Sequence, residues 1–279
     1  MVEIQGITSQ ANDIIRASIH NDRYLKATHI HLYAELVYVI EGEFTVISSK
    51  KREIAKAGDI VIIQPYQPHG FSTPVGKTVK FWMLLFEANI VNDIIRNGYS
   101  YNQYSNMVFT PSEELRVFLR NRMIDTDEKN KKLDANELRK LKATLYPILD
   151  EYVSSVPLEK SGEQARSNSI FETFQYLSSN FKRDVTLKEV SAAIGYSSSH
   201  ISHSLSDIVG MNFRTVLNSI RIEYAKSLLH HNTNQSILLI SIESGFGSER
   251  SFHRAFKEIT GMTPKEYKER LIQRNINRK

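Results

Sequence analysis

The chain of 279 residues contains no cysteine, which excludes disulfide cross-links and thiolate metal centres, so nothing requires an oxidising compartment. Long apolar runs are missing as well. The longest, Phe81–Phe86, is far below the roughly 20 residues that cross a bilayer. The first twenty residues lack the basic segment and following apolar stretch of a secretory leader, so a cytoplasmic protein with no membrane partner is expected. Net charge is scarce over residues 1–162, which hold 20 Lys+Arg and 20 Asp+Glu. Residues 163–279 hold 16 against 11, and so carry the whole excess of +5. A basic segment beside a neutral one suits a polyanion-binding module joined to a module with another task. Apolar and charged fractions are those of a globular protein, and the length allows two domains, each with its own core.

The strongest internal pattern is a duplication. In Ser236–Tyr267, Ile237, Ile240 and Ile242 precede Gly245-Phe246, after which Phe252, Phe256 and Ile259 recur at helical spacing. In Thr186–Phe213 the same places fall to Leu187, Val190 and Ile194, then Gly195-Tyr196, then Ile201, Leu205 and Ile208. Each copy reads as helix, tight turn, helix, with a glycine where a helix stops in the left-handed region. Between them, residues 212–231 run without glycine or proline, with Phe213, Val216, Leu217, Ile220, Tyr224, Leu228 and Leu229 on one side. A helix of about twenty residues spans about 30 Å, close to the roughly 34 Å of one duplex turn. It can hold two second helices in successive major grooves.

These residues resemble the AraC/XylS-type transcriptional regulators. The resemblance rests on Gly195-Tyr196-Ser197, Gly210-Met211, Arg221-Ile222 with Ala225 and Leu228-Leu229, Gly245-Phe246, Phe252 with Arg254 and Phe256-Lys257, and Gly261-Met262-Thr263-Pro264 with Tyr267. It covers about 100 C-terminal residues and implies two recognition helices that read DNA as a rigid pair. Outward positions are then Ser199, Ser202, His203 and Ser206 in the first unit. In the second they are Glu249, Arg250, His253, Arg254 and Lys257. The DNA-contacting set implied by the family is Ser199, Ser202, His203, Glu249, Arg250, His253 and Arg254. Arg250 and Arg254 lie one turn apart, and arginine makes bidentate bonds to guanine. The first unit is serine-rich, with His203 where arginine is frequent, so the second is expected to carry more base specificity. Ser191 and Ser241 replace a usual alanine, Leu239 stands in place of a capping glutamate, and Thr186 with Glu189 fits a capping box.

The N-terminal part is strand-like from Ala27 to Phe86. In residues 29–40 His29, His31, Tyr33, Glu35, Val37 and Val39 share one face and Ile30, Leu32, Ala34, Leu36, Tyr38 and Ile40 the other. Short strands with turns at this spacing indicate a β-sandwich or barrel. The segment also resembles the cupin domain of sugar-responsive members of that family, in which H-x-H-x3-E-x6-G is followed by G-D and P-x-x-P-H. His29, His31, Glu35, Gly42, Gly58-Asp59 and Pro65 to His69 occupy those places. Three imidazoles and a carboxylate also suit a divalent metal. The second motif is contracted and lacks the glycine of metal-binding cupins, which ranks an effector or structural role ahead of a metal. The effector set is His29, His31, Tyr33, Glu35, His69 and Trp82, with no metal and no other cofactor expected.

Residues 112–124 and 134–154 read as two helices around a charged turn at 126–130. The second carries a stripe of Leu138, Leu141, Leu145, Ile148 and Tyr152 that either packs on the barrel or forms a dimer seam. A polar linker comes next. The expected architecture is α+β: a cupin-like β-barrel with two helices over 1–155, a linker over 156–164 and an all-α domain with two helix-turn-helix motifs over 165–279. The expected function is a dimeric regulator of transcription, not an enzyme, that binds double-stranded DNA under control of a small effector, a sugar by resemblance, with RNA polymerase a further partner. The alternatives are a cupin metalloenzyme with an attached DNA-binding domain, and a DNA-binding regulator that needs no ligand.

Overall fold

The computed structural model describes residues 3–5, 14–22, 25–31, 33–48, 51–86, 106–123, 134–157, 161–231 and 235–276. Among them, β1 (Glu3–Gln5), β3 (Leu25–His31), β8 (His69–Ser72), β5 (Glu43–Ser48) and β6 (Arg52–Lys56) form one sheet in that order. The second runs β10 (Val108–Phe109), β7 (Ile60–Ile63), β4 (Ala34–Glu41), β9 (Val79–Phe86) and β2 (Ile14–Asp22). Neighbours are antiparallel except β1 and β3. Strand β2 lies ahead of the expected start of strand structure at Ala27, and pairs with β9 from Ile14 opposite Phe86 to Asp22 opposite Val79.

Alternation along the strands fixes the layers. Val37 and Val39 join Phe44, Val46, Phe71 and Phe81 between the sheets, while Leu36 and Tyr38 face outward with Trp82 and Leu84. A one-residue slip would exchange these sets, and each large side chain exposed would cost about 1.5–3 kcal/mol. The outer layer is covered by α1 (Glu113–Arg120) and α2 (Ala135–Ser155). Helix α2 starts on a capping box between Asp134 and Glu137. Its stripe packs on the barrel: Leu141, Leu145 and Ile148 are fully buried there, Tyr152 donates from its hydroxyl to the Asn106 carbonyl at 2.8 Å, and Leu138 is partly buried. The charged turn at 126–130 lies outside the described residues.

Helix α3 (Ser161–Asn180) begins within the stretch expected as linker. It is followed by α4 (Leu187–Ile194), α5 (Ser198–Ser204), α6 (Phe213–His231), α7 (Ile237–Glu243), α8 (Glu249–Thr260) and α9 (Pro264–Ile276). Helix α6 is the unbroken rod, 19 residues or about 28 Å long. Its two halves serve different cores. Val216, Leu217 and Ile220 pack with α3, α4 and α5, whereas Ile222, Ala225 and Leu229 pack with Ile240, Phe252 and Phe256. Thr186 caps α4 by accepting from the Glu189 amide at 3.2 Å, but the reciprocal half of the box is not made. The Glu189 carboxylate turns to Arg183 and the Tyr176 hydroxyl instead.

Two contacts lock the units together. Arg221 on α6 donates from Nε to the Phe181 carbonyl at 2.8 Å and from Nη2 to the Arg183 carbonyl at 2.9 Å, satisfying main-chain oxygens at the end of α3. Gly245, at φ 82°, lets the second turn meet the same segment, because a Cβ there would stand 2.6 Å from the Phe181 oxygen.

The barrel rests on the helical half. Ile4, Ile30 and Tyr66 share a buried cluster with Phe174 and Leu177 of α3. The Tyr66 ring stacks on Phe174 with centroids 5.2 Å apart, and its hydroxyl lies 3.3 Å from Ser178 Oγ. Among the described residues, no helix is long and apolar enough to cross a membrane.

Candidate nucleic-acid interface and sensing cluster

The second helix-turn-helix presents an open cationic face. Ser248 caps α8 by accepting from the Ser251 amide at 3.2 Å, and Phe252 and Phe256 anchor the inner side. That registration turns Glu249, Arg250, Arg254 and Lys257 to solvent, as expected, with His253 half-buried and its Nε2 3.5 Å from Glu249 Oε1. Among the described residues, neither Arg250 nor Arg254 is engaged by a carboxylate. Arg254 also borders a cleft of about 520 Å³ between the two units, shared with Arg214 and Arg221.

The first unit is built differently. Ser197 caps α5 by accepting from the His200 amide at 3.1 Å, and Ser199, Ser202 and His203 are exposed as expected. Helix α5 then widens into a π-turn over Leu205–Val209. The extra residue in that turn rotates the register beyond it, so Val209 rather than Ile208 fills the core and Ile208 is only partly buried. Ser191 and Ser241 are accommodated because each hydroxyl donates to a main-chain carbonyl, of Tyr196 and Leu238 respectively.

In the barrel, the structure brings His29, His31, Glu35 and His69 to one point. All four are at most 5% exposed, and one donor atom from each lies within 4.8 Å of the others. His29 and His31 come from β3, Glu35 from β4 and His69 from β8. The turn ahead of β8 is pinned to the cluster, since the Tyr66 amide donates to the His31 carbonyl at 2.8 Å and His69 Nδ1 donates to the Gln67 carbonyl at 2.9 Å. Tyr66 takes φ 62°, a left-handed conformation that costs a bulky residue about 1–3 kcal/mol and persists only where its surroundings enforce it. Burial pushes its hydroxyl up to about 12.

Electrostatics inside the cluster are demanding. Burial, and next His69, push His29 down to about 3, and burial lowers His69 as well. Burial alone would raise the Glu35 carboxyl, yet contacts with His31 and His69 outweigh it and hold Glu35 well below the carboxylate range.

The remaining candidates separate. Tyr33 borders the cluster: its carbonyl accepts from His31 Nδ1 at 2.8 Å, and its ring centroid lies 6.4 Å from that of His31. Trp82 does not belong there. It pairs across the sheet with Tyr38, is fully buried, and faces the outer layer under the helices, on the opposite side of the sheet from Glu35. Its strand reads Phe-Trp-Met-Leu-Leu-Phe, apolar on both faces, so the sequence holds no sign of which side is inner. Tyr66 is the residue fastened to the cluster that sequence reasoning misses, because it counts there only as spacing in the contracted motif. A bulky residue between two prolines is the available signal.

Residues 12–137 match the family model described as AraC-like ligand binding domain, and residues 190–270 match one described as helix-turn-helix domain. An uncharacterized HTH-type transcriptional regulator of Staphylococcus aureus is 28% identical over 238 residues, covering 83% of this chain but only 31% of that protein. The chain thus spans about a third of the length of such relatives. The uncharacterized HTH-type transcriptional regulator YisR of Bacillus subtilis is 22% identical, with 87% of each chain covered. Among solved structures, an apo ToxT variant from Vibrio cholerae superposes with a TM-score of 0.57 at 14% identity, over 94% of this chain and 100% of that one. ToxT described as unsaturated fatty acid bound gives 0.55 at 15% identity, over 94% and 97%. At such identities the likeness is one of fold.

Proposed function

Because this chain belongs to the AraC family of transcriptional regulators, we propose that it binds specific double-stranded DNA with both helix-turn-helix units and that a small molecule in the barrel controls that binding. The observation that carries the DNA reading is the open placement of Arg250 and Arg254, one turn apart on α8, beside the unbroken rod α6. Each guanidinium can bond guanine O6 and N7 in the major groove, worth about 1–3 kcal/mol of base discrimination. Glu249 and His253 supply further contacts on α8. Ser199, Ser202 and His203 form the shorter-ranged reading set of the first unit. The protein works in the cytoplasm, with RNA polymerase as a further partner.

The stripe on α2 is covered by the barrel, so a homodimer would use the outward sides of α1 and α2, where Val117 and Tyr146 stand exposed. Sedimentation at micromolar concentration tests this, and a monomer throughout removes the dimer.

The effector is proposed to act at the end of the barrel held by His29, His31, Tyr33, Glu35 and His69. A carbohydrate is the class that the resemblance implies. Pockets for organic ligands enclose about 300–1,000 Å³, far more than four donors within 4.8 Å of one another leave between them, so a sugar would sit at their edge or open the cluster. A thermal-shift series of mono- and oligosaccharides decides this, and no shift with any of them eliminates the class.

The decisive experiment on DNA is to sequence the fragments retained by pure protein from a random pool, then repeat with Arg254→Ala. Relaxed preference at one base pair is expected. A uniform loss on all sequences would make Arg254 a phosphate ligand only.

A further inference from the structure

The three imidazoles of the barrel cluster are held by one device. Nδ1 of His29, His31 and His69 contacts the carbonyls of Ala27, Tyr33 and Gln67 at 3.0, 2.8 and 2.9 Å. A carbonyl only accepts, so Nδ1 carries the proton in each neutral ring and the Nε2 lone pair is the free end. Those free ends meet Glu35: its Oε2 lies 3.0 Å from His31 Nε2 and 3.3 Å from His69 Nε2, the latter out of line for a hydrogen bond. Lone pairs facing a carboxylate repel. An imidazolium at His31 would relieve one contact, but it leaves His29 Nε2, His69 Nε2 and Glu35 Oε1 buried without partners. One cation among them satisfies all four residues.

Size and donor type define that cation. Donors about 2.0–2.2 Å from a shared ion stand about 3.0–4.2 Å apart. The two Glu35 contacts fall within that span, and the widest separation, 4.8 Å, has only about half an ångström to close. Three nitrogens and a carboxylate suit zinc, iron, manganese, cobalt or nickel, whereas calcium and magnesium take oxygen ligands. The three carbonyls fix ring orientation as the outer partners of a metal site do.

We propose that His29, His31, Glu35 and His69 bind a divalent first-row transition metal ion and that its loading is transmitted to the DNA-binding half through Tyr66. The turn that supplies His69 also supplies Tyr66, whose amide is fastened to the His31 carbonyl and whose ring lies on Phe174 of α3. Drawing His69 toward an ion pulls a turn that is strained at Tyr66 and seated on the helix beneath the first helix-turn-helix. The ion site stands on its own geometry, and the transmission rests on the regulator reading.

The test uses untagged full-length protein. Mass spectrometry should find close to one equivalent of metal per chain, as purified or after incubation with zinc, manganese, iron(II), cobalt or nickel, and EDTA should lower the melting temperature. Glu35→Gln preserves shape, and with an unchanged circular dichroism spectrum it should weaken metal affinity at least about tenfold. Protein that takes up none of these ions, or a Glu35→Gln variant that holds metal as before, overturns the site. For the transmission, operator affinity should differ about fivefold or more between loaded and metal-free protein, and Tyr66→Ala should keep the metal and lose the difference. Equal affinities in the wild type overturn it while leaving DNA binding itself intact.

Discussion

Substituting alanine at the two turn glycines separates a local strain from a contact between units. Gly195 and Gly245 have nearly the same backbone, φ 78° and 82°, so alanine at either costs about 1–2 kcal/mol for entering the left-handed region. Their surroundings differ. A Cβ at Gly195 meets nothing within 4 Å, whereas at Gly245 it stands 2.6 Å from the Phe181 oxygen and 2.7 Å from the Lys182 Cα. Both obstacles are main chain, which cannot swing aside, so overpacking adds about 1–3 kcal/mol. The Phe181 oxygen is moreover the acceptor for Arg221 Nε, so displacing it loosens the second contact between the units. Gly195→Ala should cost about 1–2 kcal/mol in all and Gly245→Ala about 2–5. At about 2–4 °C per kcal/mol for a chain approaching this size, the melting temperatures of the two variants should differ by about 2–12 °C. Operator affinity should move in parallel, nearly kept in the first and clearly reduced in the second. Equal losses of melting temperature would refute the claim that the second turn is wedged against the end of α3.

Other perturbations read other parts of the structure. Arg221→Ala leaves two carbonyls without their charged donor and should cost about 3 kcal/mol by thermal or urea denaturation; Arg221→Lys should recover only part, lacking the fork that reaches both. Trp82→Ala should cost about 3–5 kcal/mol from the outer layer, while Trp82→Phe leaves the response to any barrel ligand unchanged, as measured by ligand-induced thermal shift. The Glu189 carboxyl is held below its usual 4.5 first by Arg183 and then by the Tyr176 hydroxyl. Its contribution is therefore present above pH 4.5 and lost as pH falls through the lower folded value, so Glu189→Gln should flatten the acid side of the stability profile.

Legibility in the sequence depends on how local the cause is. Turn glycines, the spacing of Phe252 and Phe256, and the outward set on α8 depend on neighbours one turn away, so periodicity alone places them. The phase of β4 is readable because polar Glu35 stands between apolar Ala34 and Leu36. Strand β9 offers no such contrast, and Trp82 is therefore expected on the wrong face. The stripe on α2 suits a sheet or a partner helix equally well, and only the outer layer of the barrel decides between them. The π-turn after α5 and the seat of Tyr66 on α3 arise from packing between segments distant in sequence, for which no spacing rule exists.

The two reading units are consequently unequal for structural reasons as well as chemical ones. Helix α8 is twelve residues long, capped at both ends by Ser248 and Gly261, and buries Phe252, Ala255 and Phe256 along one side, so its outer face is a rigid platform for two long cations. Helix α5 is seven residues long and runs into a π-turn, where the hydrogen-bond ladder is wider and the register after Leu205 is rotated. Short serine hydroxyls on such a helix reach bases only if the backbone itself lies close to the groove, whereas arginines tolerate a greater distance. Because α6 and the Arg221 contacts tie both units to the end of α3, neither can adjust independently to a mismatched site. On the proposed DNA reading, binding at the second unit would set the position from which the first must read, and the first would contribute discrimination chiefly by refusing duplexes whose groove is displaced from where the rod delivers it.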